Sequence, residues 1–315
     1  MKNTKNWVLA LGLTFGVLVA NAGDLRTDHG QSYYATGRGV GELKMKTTAT
    51  NTTINASIVL RVNGGKANNN INYHGGPLLN SANGTNMYYI WYGDWTGNTA
   101  PSILTDLAHG LSGSPWYNIN TTYADRTGKK ITNSVHLLQQ TSDNYSQGKV
   151  LSDAQIQTVV ESAITTGYLP KDSNAVYFVL TSADVNASSG FCTKYCAWHT
   201  KADIGGTTIK YSFVGNTDRC PNACSPQNIG PNGNAGADSM ASLIAHELTE
   251  TVTDPELNAW YDSRGLENGD KCAWSFGTMT TLPSGAKYNM TLGNRKFLIQ
   301  QNWVNANGGY CASRY

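Results

Sequence analysis

The alternation of apolar and polar positions predicts a regular series of elements in the second and third quarters of the chain. Asn86 to Tyr92 is a continuous aromatic and aliphatic run closed by Gly93, which reads as a buried strand. Pro101 to Leu111 then places Ile103, Leu104, Leu107 and Leu111 on one stripe, with proline in the first turn, as in an amphipathic helix. Lys130 to Gln140 reads as a strand. Ser152-x-x-Gln155 has the form of a capping box, and Ile156, Val159, Val160 and Ile164 follow on the helical period. Ala175 to Leu180 and Ile209 to Val214 read as strands, and Ala237 to Thr253 as the last strong helix, ended by Pro255. The order β-α-β-α-β-β-α implies an α/β fold, a mixed sheet with packed helices. Residues 215–236 form a loop rich in Gly, Pro and Asn. The tail from 255 to 315 reads as irregular, with Lys296 to Gln300 as a further strand.

The first 70 residues divide in two. Lys2 and Lys5 precede an apolar run from Trp7 to Ala20, and Ala20-Asn21-Ala22 is a small-residue cleavage site, so 1–22 is predicted to be a secretory signal peptide. The run of 14 residues is shorter than the ~20 that span a bilayer. No later stretch is apolar enough to do so, so no membrane span is expected. Residues 23–70 are rich in Thr, Asn and Gly and admit either a disordered leader or an edge hairpin, with Ile58 to Val62 as one strand. Residues 71–315 are expected to form a single domain.

Charge changes the picture only through this leader. The chain carries 23 Lys and Arg against 21 Asp and Glu, and Lys2 and Lys5 supply the excess, so the mature chain is neutral. A neutral chain with 14% charged residues lacks the basic patch that nucleic acid requires. Export also changes the reading of the cysteines Cys192, Cys196, Cys220, Cys224, Cys272 and Cys311. In an oxidising compartment six cysteines are expected to form disulfides rather than zinc knuckles, and they allow 15 pairings. The expectation is two bridges within 192–224 and one from Cys272 to Cys311. Glycosylation sequons stand at Asn51, Asn55, Asn83, Asn120, Asn144, Asn186 and Asn289.

One constellation carries candidate chemistry. The last helix contains His246-Glu247-Leu248-Thr249-Glu250, an H-E-x-x-E pattern one substitution from the H-E-x-x-H of zinc peptidases. His246 and Glu250 are four apart and share a helix face. A carboxylate in the second position remains a zinc ligand and also suits a harder ion such as Ca²⁺. Glu247 would polarise a water. Because Pro255 ends the helix, a third ligand must come from beyond it. Glu267, 21 residues after His246, is the expected ligand with Asp270 behind it, and Asp254, Asp262 and Asp270 are the rivals. The expected arrangement is therefore zincin-like around the 237–253 helix. Of the other histidines, His199, close after Cys196, is the candidate for an extra ligand. No phosphate loop or G-x-S-x-G elbow is present.

Several segments resemble the EXORDIUM or phosphate-induced family. They are Tyr73-His74-Gly75-Gly76-Pro77, Ile90-Trp91-Tyr92-Gly93, Leu180-Thr181-Ser182-Ala183-Asp184-Val185, Gly190-Phe191-Cys192 to Cys196, and Cys220-Pro221-x-x-Cys224. The stretch His246 to Pro255 followed by Trp260-Tyr261-Asp262 is similar to a microbial branch of that family. The resemblance implies a secreted, extracellular protein, associated in plants with the cell wall, and implies no particular substrate.

Two functions are consistent with these features. The first is a secreted metal-dependent hydrolase of peptidase type, using Zn²⁺ with Ca²⁺ as the alternative ion and acting on a peptide or cell-wall substrate. The second is a non-catalytic extracellular or wall-associated protein whose acidic cluster holds a structural ion. Abundant Tyr and Trp point weakly to carbohydrate, since such residues also build cores.

Overall fold

The computed structural model describes residues 25–28, 31–34 and 70–315. Leu25–Asp28 pairs with Gln31–Tyr34 in an antiparallel ribbon. The expected signal peptide and the strand expected at Ile58 to Val62 lie outside the described residues.

The centre of the fold is a five-stranded sheet made by β1 (Thr85–Tyr92), β2 (Val135–Asp143), β3 (Ala175–Thr181), β4 (Ala197–Asp203) and β5 (Thr208–Val214). Its order is β2-β1-β3-β5-β4. The first four strands in that order run parallel, and β4 pairs antiparallel with β5 at one edge. Strands β1 and β3 are buried on both faces, which is why they read as unbroken apolar runs. The helices α1 (Ala100–Leu111), α2 (Asp153–Thr165) and α3 (Ala235–Thr253) cover the two faces. The Tyr89 hydroxyl donates to the Leu104 carbonyl of α1, whereas its neighbour Ile90 lines a cavity with Val159 and Ala163 of α2. Successive strand residues point to opposite faces, so α1 and α2 lie on opposite sides of the sheet. Helix α3 packs on α1 and on strands β4 and β5.

The local signals act as the sequence predicts in most elements. The stripe of α1 is buried, and Pro101 occupies its first turn. The capping box of α2 is complete, with Ser152 Oγ accepting from Gln155 N and Gln155 Oε1 accepting from Ser152 N. Helix α3 begins two residues earlier than expected, because the Asn234 side chain caps it by accepting from Ala237 N.

Three differences have physical causes. Strand β2 runs 135–143 instead of 130–140. Lys130 bridges back to Ala124, residues 132–134 turn, and the strand then pairs with β1 as far as Asp143, with an irregularity that leaves Leu138 exposed. Strand β4 is absent from the predicted order; it starts directly after Cys196 and is short and chemically mixed. The tail is built of short ribbons, Met290–Leu292 with Arg295–Phe297 and Asn302–Val304 with Tyr310–Ala312, and the segment 298–300 continues past its ribbon without pairing.

The disulfides are Cys192–Cys220, Cys196–Cys224 and Cys272–Cys311, so two bridges tie 192–224 and the third ties the tail. Among the described residues no helix is long and apolar enough to cross a membrane.

Candidate metal centre

Helix α3 is buried all round, not along one stripe alone. Its polar residues survive burial in two ways. Thr251 and Thr253 donate to carbonyls one turn back, and Thr249 donates to the His246 carbonyl. His246, Glu247 and Glu250 instead meet polar groups from two other parts of the chain.

One part is the loop after the helix. Asp254 Oδ1 accepts from the amides of Asn258 and Ala259 and so turns the chain at the helix end. Asp262 accepts from the Arg264 and Leu266 amides and from Lys271 Nζ, which closes the next turn. The loop then docks on α3 through Asn268, whose side chain donates to the Thr249 carbonyl. This brings Asp270 to the helix: its amide donates to Glu250 Oε1 at 3.0 Å, and its Oδ1 lies 3.7 Å from His246 Nε2. Asp270 Oδ2 accepts from the Glu267 amide. The other part is edge strand β4. It contributes His199, whose Nε2 is 3.2 Å from Glu267 Oε2 and 3.8 Å from Glu250 Oε2. His246 Nε2 is 3.0 Å from Glu250 Oε1.

Of the residues singled out in the sequence, the structure brings together His246, Glu247, Glu250, Glu267, Asp270 and His199. Asp254 and Asp262 serve the turns just described. Gln300 is the residue that sequence reasoning missed. Its amide nitrogen lies 2.5 Å from His246 Nδ1 and donates to the Gly269 carbonyl, while its backbone is held by Ser242 and Trp116. A histidine that ligates through Nε2 keeps its proton on Nδ1 and donates it to an acceptor, so Gln300 would orient His246 in that role by presenting its amide oxygen. Nothing local in the sequence marks Gln300, because the contact spans 54 residues.

The electrostatics of the cluster are unusual. Glu247 is 1% exposed and Glu250 0%, yet neither Glu247 oxygen nor Glu250 Oε2 has a hydrogen-bond partner. A buried carboxylate without partners costs several kcal/mol in its charged form, on the order of the effective penalty for any buried ion. Burial accordingly pushes the carboxyls of Glu247, Glu250 and Asp270 upward, and repulsion from neighbouring carboxylates adds to the shift of Glu247 and Glu250. The donor set of two imidazoles and several carboxylates fits a divalent transition metal. Ligand atoms about 2.1 Å from a tetrahedral ion lie about 3.4 Å apart. The separations of 3.0, 3.2, 3.7 and 3.8 Å bracket that value. The ligating atoms fall into two groups, His246 with Glu250 and Asp270, and His199 with Glu247 and Glu250.

Comparison with known proteins gives kinship without chemistry. Residues 71–313 match a family model described as the phosphate-induced protein 1 conserved region. The chain is 34% identical over 274 residues to Protein EXORDIUM-like 5 of Arabidopsis thaliana, covering 74% of this chain and 75% of that protein. It is 34% identical over 273 residues to Protein EXORDIUM-like 3 of the same plant, covering 74% and 80%. It is 28% identical over 272 residues to Protein PHOSPHATE-INDUCED 1 of Nicotiana tabacum, covering 73% and 83%. No solved structure matches.

Proposed function

The chain belongs to the EXORDIUM and phosphate-induced protein family, and from that premise we propose that it is a secreted metal-dependent hydrolase acting on peptides. Its zincin-like centre lies on α3, where His246 and Glu250 are ligands completed by carboxylates of the following loop, Glu267 and Asp270. The observation that carries this reading is the Glu247 carboxylate, buried beside His246 with both oxygens unbonded. A purely structural carboxylate buried in this way would be expected to have hydrogen-bond donors.

An ion at this centre would supply Lewis acidity and lower the pKa of a bound water. Glu247 takes the proton of the attacking water and returns it to the leaving amine, a role suited to a carboxyl that burial has pushed well above its ordinary range. Gln300, which lies against Nδ1, would hold the His246 ring in place by accepting the Nδ1 proton through its amide oxygen.

A second reading has its own support. His199, His246, Glu250 and Glu267 are all fully or almost fully buried, and Asp270 nearly so. A sealed centre suits a structural ion in a non-catalytic extracellular protein. Zinc analysis of the purified chain, together with hydrolysis of a mixed peptide library, separates the readings. The hydrolase requires bound zinc, cleavage by the wild type, and a loss of about 10²-fold or more in turnover for Glu247→Gln with zinc retained. Zinc without cleavage selects the structural reading. Metal-free protein removes both.

A further inference from the structure

Glu250 faces two ways. Its Oε1 lies 3.0 Å from His246 Nε2, and its Oε2 is turned to His199 Nε2 at 3.8 Å. Each histidine has a second carboxylate of its own: Asp270 Oδ1 is 3.7 Å from His246 Nε2, and Glu267 Oε2 is 3.2 Å from His199 Nε2. His199 comes from edge strand β4 and His246 from α3, Glu267 and Asp270 come from one loop in which Asp270 Oδ2 accepts from the Glu267 amide, and Glu250 is the carboxylate that faces both histidines.

We propose that the centre binds two divalent transition-metal ions bridged by Glu250, one on His246 and Asp270 and the other on His199 and Glu267. This rests on the reading of the cluster as a metal centre and goes beyond its single ion.

Three observations support two ions over one. The first is that side chains offering atoms within 4.8 Å of one another fall into two groups, His246 with Glu250 and Asp270 and His199 with Glu247 and Glu250, so Glu250 is the shared member, and Glu267 lies 3.2 Å from His199 beside the second group. Second, Glu250 Oε2, turned to His199, is buried without a hydrogen-bond partner, so the bridging carboxylate has an unfilled acceptor on the His199 side even though its Oε1 already accepts from the Asp270 amide. The third is charge. Glu247, Glu250, Glu267 and Asp270 together carry four negative charges when ionised, and one divalent ion would leave two of them uncompensated in a buried site. Two ions balance all four. A carboxylate with one oxygen on each of two ions holds them about 3.5–4 Å apart, the spacing of centres that clamp a water between two metals. The mixed nitrogen and oxygen donors favour Zn²⁺ or Mn²⁺ over Ca²⁺, which takes six to eight oxygens. Glu247 then stands beside the bridge as proton acceptor and not as a ligand.

The test uses the whole purified chain, stripped with chelator and titrated with Zn²⁺. Two equivalents per chain, falling to one in His199→Gln and to one in His246→Gln, is the expected result. The Mn²⁺-loaded protein should show an exchange-coupled paramagnetic spectrum, because a shared carboxylate couples the ions. One equivalent in the wild type overturns the second ion and leaves the single-ion hydrolase standing. No bound metal overturns both. Two equivalents without coupling overturn the bridge. If either variant fails to fold, the wild-type stoichiometry and the coupling still decide.

Discussion

At the residue scale, the carboxyls of Glu247, Glu250 and Asp270 link stability to pH. Burial raises all three above their ordinary range. Each therefore holds its proton in the folded protein at a pH where the unfolded chain has released it. The stability they contribute to the metal-free protein is complete below the unfolded-state values, near 4–4.5, and is lost as pH rises through the folded-state values. The metal-free protein should accordingly melt at its highest temperature on the acidic side, with Tm falling toward pH 8. Zinc should reverse that trend, because the ion binds the deprotonated ligands. Calorimetry of chelator-treated and zinc-loaded protein between about pH 4.5 and 8.5 measures both arms. A metal-free Tm that climbs across this range would contradict the burial of these groups. The same argument predicts that Glu247→Gln stabilises the metal-free protein near pH 8 while abolishing turnover, since an amide cannot become a buried charge. A gain of about 1 kcal/mol would appear as roughly 2–4 °C in Tm for a chain of this size.

At the scale of elements, the centre depends on how closely the 262–272 loop approaches α3. Gly269 sets that distance. Its backbone lies at φ −69°, so alanine is tolerated conformationally, but an added Cβ would lie 2.8 Å from His246 Nδ1 and 3.0 Å from Glu250 Oε1. Gly269→Ala should therefore weaken zinc affinity by about 10-fold or more, the range seen when the support of metal ligands is disturbed, while far-ultraviolet circular dichroism stays unchanged. Unaltered affinity would mean that the loop can retreat without cost.

These elements also show what was legible in the sequence. His246 and Glu250 could be placed on one face because a helix has a fixed period, and the apolar stripes and caps of α1 and α2 are local signals of the same kind. Glu267 and Asp270 could be named as partners of α3 because their separation from His246 resembles that of the third ligand and its supporting acid in glu-zincins, with Pro255 ending the helix before them. Strand β4 was not legible, since Ala197-Trp198-His199-Thr200-Lys201 lacks the clean alternation that marks a half-buried strand. His199 could thus be named as a candidate but not placed opposite Glu250. Gln300 was invisible, because its role follows from tertiary contact alone.

At the scale of the whole molecule, the edge strand and the loop that build the centre are tied down by different disulfides. Cys196 immediately precedes β4 and is bonded to Cys224, and Cys192–Cys220 lies alongside, so these bridges anchor the strand that carries His199. Cys272 follows Asp270 by two residues and is bonded to Cys311 in the last ribbon, so this bridge anchors the loop that carries Glu267 and Asp270. Such bridges are compatible with an extracellular, oxidising setting. Loss of a bridge spanning 39 residues costs about 4 kcal/mol by chain entropy alone. The double variant Cys272→Ser/Cys311→Ser should lose roughly 2–4 kcal/mol of stability, and its zinc affinity should fall more than stability alone explains, because Asp270 becomes free to leave Glu250. Cys192→Ser/Cys220→Ser should instead loosen the His199 half. With two bridged ions, Cys272→Ser/Cys311→Ser weakens both equivalents, because Glu267 and Asp270 share the loop it frees, whereas Cys192→Ser/Cys220→Ser weakens only the one on His199, and a zinc titration resolves the two patterns. If Cys192→Ser/Cys220→Ser weakened both equivalents equally, the two halves would be parts of one coordination sphere, and His199 would belong with His246 on a single ion.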